Sequence, residues 1–120
     1  MKWKDMQYKD VFKEKRPWYG AKSLFYDSGS RVYEERIILL KAESYDDALD
    51  RAKREAEGYA QSLEDVQYAG YTDVFNLFDV GVTEGVEVYS LMRQSDLGTA
   101  EYIEKFIDTG SEVGIEREKI

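Results

Sequence analysis

The chain has 120 residues, enough for one domain, and its 25 Asp and Glu against 17 Lys and Arg leave a net charge of -8. That sign argues against a nucleic-acid partner, whose phosphates require clustered Lys and Arg. With Cys and His both at 0, there is no disulfide framework, no thiolate nucleophile, no Cys or His zinc site, no Ser-His triad and no imidazole acid–base group.

Any chemistry falls to carboxylates, Lys, Arg, Tyr, Ser and Thr. No D-x-D-x-D-G calcium spacing occurs, so no metal and no cofactor is expected. An apolar share of 42% with 14% aromatics suffices for a core and argues against disorder. No apolar run approaches the ~18 residues of a membrane span, and the first sixteen residues lack the apolar centre of a signal peptide. The expectation is a soluble, cytoplasmic protein without a membrane partner.

Residues 1–17 read as a basic tail or short amphipathic helix carrying Trp3, Met6, Val11 and Phe12, closed by Pro17. Residues 18–110 form the single domain. Two strands, Trp18–Asp27 and 31–42, flank a hairpin turn at Ser28-Gly29-Ser30. In the second, Ile37-Ile38-Leu39-Leu40 puts apolar side chains on both faces of a sheet, which predicts a central strand. Ser44 with Asp47 three residues on is an acidic variant of a capping box. Ala48, Leu49, Ala52, Ala56, Tyr59, Ala60 and Leu63 then share one helical face, and Gly58 is a weak point toward its end. A third strand over 66–80 is expected to break or bulge near Gly70. After a turn at 81–85 comes a fourth strand, 86–93. A last helix capped by Ser95 or Thr99 presents Ala100, Ile103, Phe106 and Ile107 on one face before Gly110, and 111–120 reads as frayed.

The expected fold class is therefore α+β in the order ββαββα: a four-stranded, mainly antiparallel sheet with two helices on one face. It admits a plain pair of ββα units or a permuted ferredoxin-like layout with the second and fourth strands central. The apolar run at Ile37 to Leu40 favours the permuted layout. Two helices cover only one face, so the other needs either the N-terminal segment with Trp3 and Phe12 or a second copy meeting it sheet to sheet. A homodimer is the preferred expectation.

Several residues invite a functional reading. Glu34 and Arg36 share one face of the second strand and Glu35 takes the other. With Asp73 and Arg93 on neighbouring strands they outline a carboxylate/arginine cleft suited to a small ligand or a minor enzymatic role. The alternative is solvent-face ion pairs. Asp108-Thr109-Gly110-Ser111 resembles the catalytic loop of aspartic proteases, but it follows a helix near the chain's end, where a helix C-terminus explains it better. Gly81 to Gly85 lacks the lysine and following helix of a phosphate loop. No catalytic residue is assigned.

Charge placement says more. Residues 55–92 hold eight acids (Glu55, Glu57, Glu64, Asp65, Asp73, Asp79, Glu84 and Glu87) and no Lys or Arg, whereas the remaining acids and bases balance. An acidic surface including Glu64, Asp65, Asp79, Glu84 and Glu87 would attract a basic protein. The first functional expectation is thus a non-enzymatic, self-associating interaction module for a basic partner, as an immunity or antitoxin-like protein would be.

Trp18-Tyr19-Gly20-Ala21-Lys22, Tyr33-Glu34-Glu35-Arg36-Ile37, Asp73-Val74-Phe75 with Leu77, and Phe106 with Asp108-Thr109 together resemble the bacterial family of uncharacterised proteins called domain of unknown function 4288. The resemblance spans about residues 18–110. It implies a small bacterial domain without an assigned activity, and it carries over no catalytic residue.

Overall fold

Pro17 disfavours helix at the residue before it, and a strand begins directly after it in the computed structural model, which describes residues 16–77 and 83–114. Strand β1, Trp18–Asp27, pairs antiparallel with β2, Val32–Lys41. Asp27 ties the turn between them: its Oδ1 accepts the Gly29 N–H at 2.9 Å and the Ser30 N–H at 3.2 Å, the self-capping Asp favours in turns. Helix α1, Tyr45–Gln61, starts as expected, with Ser44 Oγ accepting the Asp47 N–H at 3.1 Å. Asp47 reaches back to accept the Glu43 N–H at 3.0 Å. The helix continues through the exposed Gly58. Strand β3, Val66–Leu77, pairs with the other edge of β1.

The bulge expected near Gly70 is present. Ser23 opposes Thr72 while Phe25 opposes Tyr68, so three β3 residues face one of β1, and Gly70 sits at φ +82°. Because the excess is two residues, the pleat keeps its phase and Val66, Tyr68, Thr72 and Val74 stay on one face.

Among the described residues the sheet is three-stranded in the order β2-β1-β3. The central strand is therefore β1 and not β2, and the order departs from the permuted ferredoxin-like layout. β1 is buried on both sides through small residues, with Ala21, Ser23 and Gly20 all buried; their modest hydrophobicity concealed its place. The run in β2 is met at an edge: Ile38 and Leu40 pack on the core beneath α1, whereas Ile37 remains 45% exposed.

Helix α1 lies on the face formed by Tyr19, Ala21 and Phe25. Ala48, Ala52, Ala56 and Ala60, spaced one turn apart, are its buried residues, and their short side chains let the helix settle close to the strands.

Residues 86–93 do not form the expected fourth strand: the segment joins no ladder. Its Val88 carbonyl sits over Gly20 in the central strand, where a Cβ on Gly20 would stand 1.7 Å from the oxygen. This strap covers part of the far face from within the same chain. The bare face that argued for a sheet-to-sheet homodimer is thereby partly closed. Trp3 and Phe12, the other expected cover, lie outside the described residues. So do the tail or helix of 1–15, Asp79 with the expected strand end at 78–80, the glycine at 81, and 115–120.

The last helical element is Thr99–Tyr102, here α2, continued by a wider π turn over Ile103–Ile107. None of its residues is buried and it makes no close backbone contact with the sheet. Of the two helices expected on one face, α1 is the one that packs on the sheet among the described residues. Gly110 takes φ +89°, but the segment already ends at the extended Asp108, so this glycine lies in the turn that follows, its N–H on Asp108 Oδ1, and is not the residue that closes the helix.

Candidate functional site

The alternation along β2 places Glu34 and Arg36 toward α1, on the same side as their β1 partners Phe25 and Ser23. Helix α1 meets them with Glu55 and Tyr59, one turn apart. Arg36 Nη1 donates to Glu55 Oε1 at 2.8 Å and its guanidinium lies 3.8 Å from the centre of the Tyr59 ring. Tyr59 in turn donates its hydroxyl to Glu34 Oε1 at 2.8 Å. Its ring also meets Phe25 edge-on at 4.8 Å and 70°. The Glu55 hydrogen bond holds the Arg36 pKa above its ordinary value, outweighing the opposite pull of burial.

Beside this network the hairpin projects past the end of α1 and leaves a cleft of about 690 Å³. Phe25, Tyr59, Val66 and the half-exposed Leu63 give it apolar walls, and Asp27 and Glu34 bring carboxylates, while Glu35 borders it with its carboxylate turned to Lys22 on the other face. The loop from α1 to β3 adds acids at the same end, because the Ser28 N–H donates to the Asp65 carbonyl at 2.9 Å. The Asp27 and Asp65 side chains flank Gly29 so closely that a Cβ there would stand 3.3 Å from a carboxylate oxygen of each. Glu64 and Asp65 are exposed.

The sheet separates the remaining sequence-selected residues from this cleft. Asp73, opposite Lys22 in register, faces the strap and accepts the hydroxyl of Tyr89. Burial, then the hydrogen bond to Asp73, pushes the Tyr89 phenol above its ordinary pKa. Lys22 joins this second cluster, 2.6 Å from Glu35 and 5.8 Å from the Tyr89 ring centre. Arg93 lies beyond it, donating to the Tyr102 hydroxyl at 3.2 Å with its guanidinium 4.5 Å from the Phe106 ring centre. Thus Glu34 and Arg36 come together, while Asp73 and Arg93 each belong to a different neighbourhood. The acidic surface divides in the same way: Glu64 and Asp65 stand at the hairpin end, Glu84 and Glu87 on the strap segment.

Sequence reasoning placed Tyr59 in the core face of the helix and missed its polar role. The one-turn step from Glu55 to Tyr59 was the available signal, since a strand residue reaching one reaches the other. Tyr89 and Lys22 had no comparable mark. Among the described residues no group of three or more acids is placed to hold a metal ion, and no helix is long and apolar enough to cross a membrane. No family model, curated protein or solved structure matches the chain.

Proposed function

We propose that this chain is a non-enzymatic interaction module that receives a basic segment of a protein partner at its acidic hairpin end. The observation that supports this reading is the cleft itself: carboxylates of Asp27 and Glu34 above aromatic and aliphatic walls, with the Asp65 carboxylate beside Gly29 next to that of Asp27. A lysine or arginine side chain matches both parts, its charged head meeting the carboxylates and its methylene stem the apolar walls. Glu34 is held in place by Tyr59, so the site needs little ordering on binding. An immunity or antitoxin-like protein masking a basic partner is the concrete form of this role. The four-residue ligand cleft is the weaker reading, because Asp73 lies across the sheet with Tyr89 and Arg93 lies beyond it with Tyr102.

Fluorescence anisotropy with a labelled oligolysine peptide tests the proposal. Binding is expected to weaken as salt rises, and Glu64→Lys with Asp65→Lys should reduce it several-fold while Glu84→Lys with Glu87→Lys, the same charge change on the strap segment, leaves it nearly unchanged. Equal losses from both sets would reduce the effect to net charge and overturn the cleft as the site.

A further inference from the structure

The two edges of the sheet are unlike. β3 carries the bulge at Gly70, a feature that twists an edge away from further pairing. β2 runs for ten residues in unbroken register with β1, without proline or bulge, and has no neighbour on its outer side among the described residues. On its strap-side face two large side chains stay in solvent, Tyr33 at 65% and Ile37 at 45% exposed, with Glu35 between them.

From this edge we infer that two copies of the chain pair antiparallel through β2, about a two-fold axis at Glu35, joining their sheets into one. An axis normal to the sheet keeps like faces together, so only registers centred on a residue are allowed. Centring on Glu35 sets Tyr33 against Ile37 of the second copy and Val32 against its Ile38. It also sets Glu34 against Arg36 of the second copy, and every one of these contacts occurs twice. Such cross-strand pairs are the units that stabilise a sheet. The two Glu35 side chains meet at the axis, but each already has Lys22 at 2.6 Å. Arg36 has five N–H donors and gives one to Glu55, leaving others for the incoming carboxylate.

Neighbouring registers fail on the same criterion. Centring on Arg36 opposes two guanidiniums and sets Glu34 against Ile38; centring on Ile37 sets Glu34 and Glu35 against Leu40 and Leu39. Centring on Glu34 opposes Tyr33 to Glu35 and Val32 to Arg36. The charges that protect an edge from indiscriminate pairing here select one register. This association does not rest on the reading of a basic partner, but it brings Arg36 of the second copy to Glu34, so the two would compete for that carboxylate of the cleft.

Because the chain has 0 Cys, cysteine cross-linking reads the register directly. Sedimentation equilibrium of the unmodified chain should show a concentration-dependent dimer. Under mild oxidation Glu35→Cys should link to itself, cross-strand Cβ atoms being about 4.5–5.5 Å apart and so near the ~3.8 Å of a disulfide. Tyr33→Cys and Ile37→Cys should link to each other when the two variants are mixed and far less when alone. A monomer at every concentration overturns the inference. So does a dimer that links through Ile37→Cys with itself, or through none of these positions.

Discussion

Gly20 shows how far one missing carbon reaches. A Cβ there would overlap the Val88 carbonyl at 1.7 Å, and that contact is with backbone, which cannot rotate aside. The strap can cross β1 only because position 20 has no side chain, and Tyr89, the next residue after Val88, is thereby delivered to Asp73. Gly20→Ala should lower stability by about 1–3 kcal/mol, the usual cost of overpacking, and should detach Tyr89, visible as a change in the Tyr89 ring signals by NMR. Gly58→Ala is the matched control of opposite sign. Nothing lies within 4 Å of its added Cβ, and alanine in a helix is favoured by about 1 kcal/mol, so urea unfolding should show a gain. If both substitutions destabilise equally, the close approach at Gly20 is not what distinguishes them.

At the level of elements, local chemistry was legible and lateral order was not. The hairpin at Ser28 to Ser30, the Ser44 cap and the interruption at Gly70 are each written in a few adjacent residues. Which strand lies in the middle depends on partners distant in sequence. In β1 the signal was weakened because burial on both sides is achieved with Gly20, Ala21 and Ser23. The apolar run of β2 pointed to the centre, yet an edge strand can bury Ile38 and Leu40 under a helix and leave Ile37 to solvent. The site followed suit: period-two alternation paired Glu34 with Arg36 correctly, but nothing local shows that Asp73 turns to the other face. The helix, by contrast, declares its contact surface. Ala48, Ala52, Ala56 and Ala60 are all buried, with Ala52 only 1% exposed between α1 and the strands. Ala52→Leu should push the helix from the sheet and cost about 1–3 kcal/mol, measured by thermal unfolding. Ala52→Ser changes little in volume and should cost less than Leu if close approach, rather than burial of apolar area, is what the alanine provides.

Across the whole molecule, order is distributed unevenly between the sheet with α1 and the segment that ends in α2. The first contains every buried hydrophobic residue among those described, from Tyr19 to Leu77. The second touches the sheet through Val88 and Tyr89, but past them it holds Ile103, Phe106 and Ile107 at 44%, 38% and 64% exposure, and the contacts of this end are polar or aromatic ones within itself, such as Arg93 to Tyr102 and Tyr102 to Phe106. Helical segments shorter than about 12–15 residues are marginal in water without tertiary packing. Opening free energy therefore should differ sharply along the chain. Native-state hydrogen exchange is expected to show β1 amides protected to the level of global unfolding, since β1 is paired on both edges and covered on one face by α1. Amides of α2 should exchange with little protection, and added denaturant should leave them unaffected because their opening exposes almost no new surface. Protection in α2 equal to that in β1 would mean that this helix is held by contacts as strong as the core's, and would make it an integral part of the domain.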